Sequence, residues 1–120
     1  MKIAVSTTGE SLDSLIDERF GRTSQFLLYD LEKNTYSLFD NKQNRTAPQG
    51  AGIQTAQNII NAKADVVITG NVGPKAFRTL NAGKIKVYLA TGITVREALE
   101  QYKKGLLPEA QDSNVEGHWL

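Results

Sequence analysis

The segment Asp65-Val-Val-Ile-Thr69 limits most severely what this chain can fold into. Its adjacent β-branched residues, closed by Gly70, form a run too short for a helix and well suited to a strand. Neighbouring residues of a strand point to opposite faces. Consecutive apolar positions therefore call for burial on both faces, and so for a sheet covered by helices on each side.

The flanking residues supply those helices. Ile53, Ala56 and Ile60 fall at i, i+3 and i+7 within residues 51–63, with Ile59 beside them. Pro74 suits a helical first turn, Ala76, Phe77 and Leu80 give that helix a face, and Gly83 ends it. Ile85–Leu89 is a further strand. Thr94-Val-Arg-Glu97 is a capping-box signature, followed by a Val95, Ala98, Leu99, Tyr102 stripe and a stop at Gly105. Residues 1–107 thus read as the domain and 108–120 as a C-terminal tail.

The first third is different. Residues 2–6, 25–31 and 35–40 read as strands, and only Glu32-Lys33-Asn34 separates the last two, which makes them an antiparallel hairpin. Leu12, Leu15, Ile16 and Phe20 lie near helical spacing, and residues 10–20 fit a helix or an ordered loop. Residues 41–50 hold no large apolar side chain and read as an exposed, mobile loop.

The element order is βββαβαβα. Right-handed crossovers are satisfied by a mixed five-stranded sheet of order 3-2-1-4-5 in which only strand 2 is antiparallel. That is an α/β, ribonuclease H-like, three-layer arrangement in a single domain, the size expected of 120 residues.

Composition narrows the function. Fourteen basic and thirteen acidic residues leave a net charge of +1, which gives no reason to expect a nucleic-acid partner. No apolar run approaches a membrane span. The chain starts as a strand rather than a signal peptide, and a cytoplasmic location is expected. With no cysteine there is no disulfide, thiol nucleophile or cysteine-held cluster, and His118 is the single histidine. A nuclease is disfavoured: strand 1, Lys2–Ser6, carries no carboxylate, Asp65 opens strand 4 at the far edge, and Asp30 and Asp40 point to opposite edges.

In the expected sheet, strands 1, 3, 4 and 5 end at one edge. The loops leaving them, Ser6–Gly9, Asn41–Gly52, Gly70–Gly73 and Ala90–Thr94, concentrate glycine there. Three run into helix N-termini, which favour anions. Arg19-Phe20-Gly21-Arg22 offers two guanidiniums to the same edge, and Lys42, Arg45 and Lys75 lie at its rim. Equally, Phe20 fits a core position and the arginines could pair with Asp13, Asp17 or Glu18. These three acids lack a calcium-loop pattern and read as a solvated face. His118-Trp119 offers an imidazole and a stacking surface.

Met1-Lys-Ile-Ala-Val5, Asp17-Glu-Arg-Phe-Gly-Arg22, Phe26-Leu-Leu-Tyr-Asp30, Asn41, Gly50-Ala-Gly52, Val67-Ile-Thr-Gly-Asn-Val-Gly-Pro-Lys75 and Ala98-Leu99 together resemble the dinitrogenase iron–molybdenum cofactor biosynthesis family, over about residues 1–107. The resemblance implies a ribonuclease H-like fold. It also implies a protein that binds, carries or delivers iron–sulfur cofactor precursors during nitrogenase assembly, alongside cofactor-assembly proteins and without catalysis. By position, the signature residues are Arg19, Gly21, Arg22, Gly50, Gly52, Gly70, Gly73, Pro74 and Lys75. With Ser6, where strand 1 leaves the sheet, these (Pro74 apart) are the candidate cofactor-binding residues, and His118 is the candidate metal ligand. An iron–sulfur or iron–molybdenum precursor held without cysteine would be labile. Two other readings use the same surfaces: a phosphorylated or carboxylated metabolite at the glycine-rich edge, and a protein-docking module.

Overall fold

The computed structural model describes residues 1–45 and 50–113. The strands are β1 (Lys2–Thr7), β2 (Gln25–Asp30), β3 (Thr35–Asp40), β4 (Val66–Thr69) and β5 (Lys86–Leu89). The helices are α1 (Lys42–Arg45), α2 (Ala51–Asn61), α3 (Pro74–Ala82) and α4 (Val95–Lys103). The sheet order is β3-β2-β1-β4-β5. β2 runs antiparallel to both neighbours, and β1, β4 and β5 are parallel. This is the ribonuclease H-like arrangement expected from the element order.

Alternation on the central strands divides the core in two. Ala4, Phe26, Val67 and Val87 face Ala56 and Ile59 of α2 and Ala76 and Leu80 of α3. Ile3, Val5, Leu27 and Ile68 face Val95, Ala98 and Leu99 of α4. All four residues of β4 are buried, as its apolar run requires. The helix ends follow local chemistry. Pro74 opens α3, and α4 carries the full capping box, with the Glu97 N–H donating to Thr94 Oγ1 and the Thr94 N–H to Glu97 Oε1. No helix among the described residues is long and apolar enough to cross a membrane.

Two expectations need correction and one is resolved. Ile53 is 39% exposed, and the buried stripe of α2 runs instead through Gly52, Thr55, Ala56 and Ile59. A small-residue stripe lets α2 lie close, and Ile53 falls outside it. Residues 41–45 are not an exposed loop. They include α1, and Asn41 and Asn44 are buried; residues 46–49 lie outside the described residues. Residues 10–20 form the ordered loop of the two alternatives, held by isolated bridges from Thr7 to Ile16 and from Leu15 to Thr94. Beyond α4, residues 108–110 run along β5: Leu89 N–H donates to the Pro108 carbonyl and Ala110 N–H to that of Val87.

Candidate functional site at the carboxyl edge of the sheet

The connection from β1 to β2 determines the shape of this edge. Asp17 N–H donates to the Ser6 carbonyl, so the chain turns back over the end of β1. Ser6 itself is fully buried. Its hydroxyl donates to the Asp17 carbonyl at 2.5 Å and shares a second hydrogen bond with Thr69 Oγ1 at 2.8 Å. It therefore ties the ends of β1 and β4 to the loop and does not face an incoming ligand. Two residues on, Arg19 pairs in parallel with Asn71: Asn71 N–H donates to the Glu18 carbonyl at 2.6 Å, and Phe20 N–H to that of Asn71 at 3.1 Å. Phe20 then plunges into the core, edge-on to Phe26 with ring centroids 5.5 Å apart.

Three of the signature glycines make this close packing sterically feasible. A Cβ on Gly70 would stand 2.9 Å from Glu18 Cα, and one on Gly21 would stand 3.1 Å from both Cα and N of Gly52. Gly21, Gly52 and Gly70 thus press the 17–22 segment against the end of β4 and the start of α2. Their role is in shaping the edge.

The arginines flank that contact. Arg19 has 56% of its side chain exposed, and its Nε lies 4.0 Å from Asp17 Oδ1, a weak surface pair. Arg22 is half-buried, and its Nη1 donates to the Asn44 carbonyl at 3.4 Å. Gly50, at φ 77°, is the N-cap of α2, and Gly73 is the N-cap of α3. Neither N-cap provides a side-chain hydrogen bond, and neither first turn holds an acid. The first N–H groups of a helix have no partner within it and carry the positive end of the helix dipole. In α4, by contrast, Thr94 and Glu97 satisfy and neutralise that end. Lys75, in the first turn of α3, is exposed and lies beside Arg78 on the outer side of the helix pair. His118 lies outside the described residues.

Asn41 is a residue whose structural weight the sequence reading missed. Its Nδ2 donates to the Thr23 carbonyl at 2.9 Å and to that of Gly21 at 3.5 Å. Its Oδ1 accepts from Asn44 Nδ2 at 2.9 Å and Thr55 Oγ1 at 3.1 Å. One buried amide thereby joins the segment bearing Arg22, α1 and α2.

The acidic residues stay apart. Asp65 is at the opposite edge, where its Oδ2 accepts from Lys2 N–H at 2.9 Å. The Asp30 carboxyl sits in the β2–β3 turn, held below the usual carboxylate range chiefly by the Lys33 N–H. Among the described residues no three of His, Cys, Asp and Glu are grouped to hold a metal ion. Asp13 bonds Arg96 on α4 at 3.0 Å, and that guanidinium lowers the Asp13 carboxyl. A lowered carboxylate stabilises the fold above its ordinary pKa, and the contribution is lost as pH falls through the lowered value. In wild type, carboxyl NMR should show Asp13 titrating below an ordinary aspartate, and in Arg96→Ala the midpoint should rise back towards the ordinary range. An unchanged midpoint would remove this tie between loop and helix.

The comparisons with known proteins place this geometry in a class. The profile of the dinitrogenase iron-molybdenum cofactor family matches residues 1–105, and the chain belongs to that family. The structure of the apo form of the orange protein from Desulfovibrio gigas superimposes with a TM-score of 0.93 at 41% identity, covering 95% of this chain and 96% of that one. A NifB-like protein from Thermotoga gives a TM-score of 0.84 at 32% identity, covering 97% and 98%. An uncharacterized protein of Methanocaldococcus jannaschii is 28% identical over 109 residues, 89% of each chain. The family and these neighbours connect the chain with a cofactor-binding or cofactor-biosynthesis role.

Proposed function

We propose that this protein is a non-enzymatic carrier for an anionic metal–sulfur cargo, an iron–sulfur cofactor or precursor of the iron–molybdenum type. The observation that carries this reading is the convergence at one sheet edge of two helix N-termini without side-chain caps or first-turn acids, next to Arg19 and Arg22. Helix N-termini and planar guanidiniums are complementary to a multiply charged anion. Arg19 and Arg22 offset its charge, and the Gly50–Gly52 and Gly73–Lys75 turns present backbone N–H groups. Ser6, Gly21 and Gly70 shape the edge from behind. The sequence adds one imidazole, His118, for a metal ion of the cargo. Without thiolate ligands the cargo is held by charge and shape, which permits release to a cofactor-assembly protein in the cytoplasm.

The test is a preassembled anionic cluster titrated anaerobically into wild type and Arg22→Ala. Loss of the guanidinium should weaken binding about tenfold, the scale of one charge-assisted contact. The thermal midpoint should hardly move. Equal affinity would refute the role of Arg22, and an unfolded variant would show it to be structural. The same helix ends suit a phosphorylated or carboxylated metabolite. Thermal stabilisation by such a compound, and none by the cluster, would favour that second reading.

A further inference from the structure

We infer that the outer face of α2 and α3 is a docking groove for an acidic, amphipathic helix of a partner protein. This inference shares only Lys75 with the cargo site, which uses its backbone N–H, whereas the groove uses its exposed side chain. The charge of the chain is sharply divided. Between Asn41 and Arg96 there are eight basic residues and a single acid, Asp65, whereas the rest of the chain is net acidic. Asp65 is occupied at the amino edge of β1, away from these helices. α2 carries no charged residue at all, and α3 carries only Lys75 and Arg78. The four ion pairs among the described residues involve neither of these cations.

The two helices enclose an open groove of about 670 Å³. Ile53 and Ile60 give its α2 side an apolar surface, Ala82 and Gly83 line its far end, and Lys75 and Arg78 stand along the α3 side. Ile53 is the one large apolar side chain of α2 that the core leaves exposed, at 39%. An apolar strip beside an unpaired cationic rim selects a complementary helix with apolar residues at i, i+3 and i+4 and carboxylates along one flank. At 1.5 Å per residue, the nine- and eleven-residue helices offer a trough of about 14–17 Å, or roughly three turns of a partner helix.

The probe is a synthetic leucine- and glutamate-bearing amphipathic helical peptide of about four turns, added to the isotope-labelled full chain. Two controls share its apolar positions: one with Gln for Glu and one with Lys for Glu. Saturable amide shifts confined to Ile53, Gln57, Ile60, Lys75 and Arg78 are expected. Arg78→Glu and Ile53→Ser should each weaken binding about fivefold to tenfold, with unchanged thermal midpoints and unchanged cluster retention. The Lys peptide should regain binding to Arg78→Glu. Equal binding by the Gln peptide, shifts centred elsewhere, or no saturation would overturn the inference. So would occupation of the groove by anionic vesicles or by a second copy of the chain with the peptide excluded. Because both variants lie outside the cargo site, failure here leaves the carrier reading standing, and the converse holds.

Discussion

Phe20→Ala should cost about 3–5 kcal/mol of stability, the range for removing a buried phenylalanine ring. The ring is fully buried, edge-on to Phe26, which stacks in turn on Phe39 at 5.4 Å. Truncation leaves a cavity between β2 and the α2–α3 layer, bordered by backbone hydrogen bonds that keep it from collapsing. A lowering of the thermal midpoint by about 10–20 °C follows for a domain of this size. The functional consequence is separate. Phe20 is the anchor between Arg19 and Arg22, so its loss should also abolish cargo retention at temperatures where the variant remains folded. A midpoint within a few degrees of wild type would mean that the Phe20 pocket is not part of the cooperative core.

Asn41→Ala should be the second most damaging change considered. It strips the Thr55 hydroxyl and the Asn44 amide of the acceptor they share, and the Thr23 carbonyl of a donor, all in buried positions. An orphaned buried polar group costs about 1–3 kcal/mol. Partial rearrangement of α1 leaves a net loss of roughly 2–4 kcal/mol on the same scale. Thr55→Val is the control, because it removes one hydrogen bond of the same hub and a buried hydroxyl together. It should cost no more than about 1 kcal/mol. Chemical denaturation with an unchanged m-value would assign both losses to the folded state. Equal losses in the two variants would show that Asn41 is one contact among several rather than the hub.

These two residues also mark where the sequence was readable and where it was not. Strand order was legible because the Val66–Ile68 run demanded burial on both faces and because the four residues between β2 and β3 are enough only for a hairpin. The start of α3 and the cap of α4 were legible because proline, threonine and glutamate act within one turn. The 8–24 connection was not. Ile16 N–H donates to Ile93, Arg96 N–H to Leu12 and Phe20 N–H to Asn71, and no local periodicity encodes such distant partners. Asn41 escaped for the same reason, since an asparagine among polar residues looks like a loop until its four partners are in place. Ile53 misled in the opposite direction. It fits the apolar spacing of α2, but the stripe that meets the sheet is built on Gly52, Ala56 and Ile59. Pro108 lies in the stretch read as a tail, and an edge position beside β5 accommodates it because only its carbonyl is used there.

At the candidate site, a core position for Phe20 was one of the readings the sequence left open, and the structure buries the ring fully between Arg19 and Arg22. The glycines were legible as a cluster but not in their division of labour. Gly21, Gly52 and Gly70 are contact surfaces, whereas Gly50 and Gly73 open helices. That division separates the glycines that close the packing behind the edge from those that begin the helices.

The most direct test is metal retention. Wild-type protein and the Arg19→Ala/Arg22→Ala variant are mixed anaerobically with a preassembled anionic iron–sulfur or iron–molybdenum cluster, desalted, and assayed for metal and visible absorption. The account predicts near-stoichiometric metal on wild type and little on the variant, with matching thermal midpoints. A wild-type protein that emerges colourless and metal-free, or a variant that retains as much cluster as wild type, would contradict it.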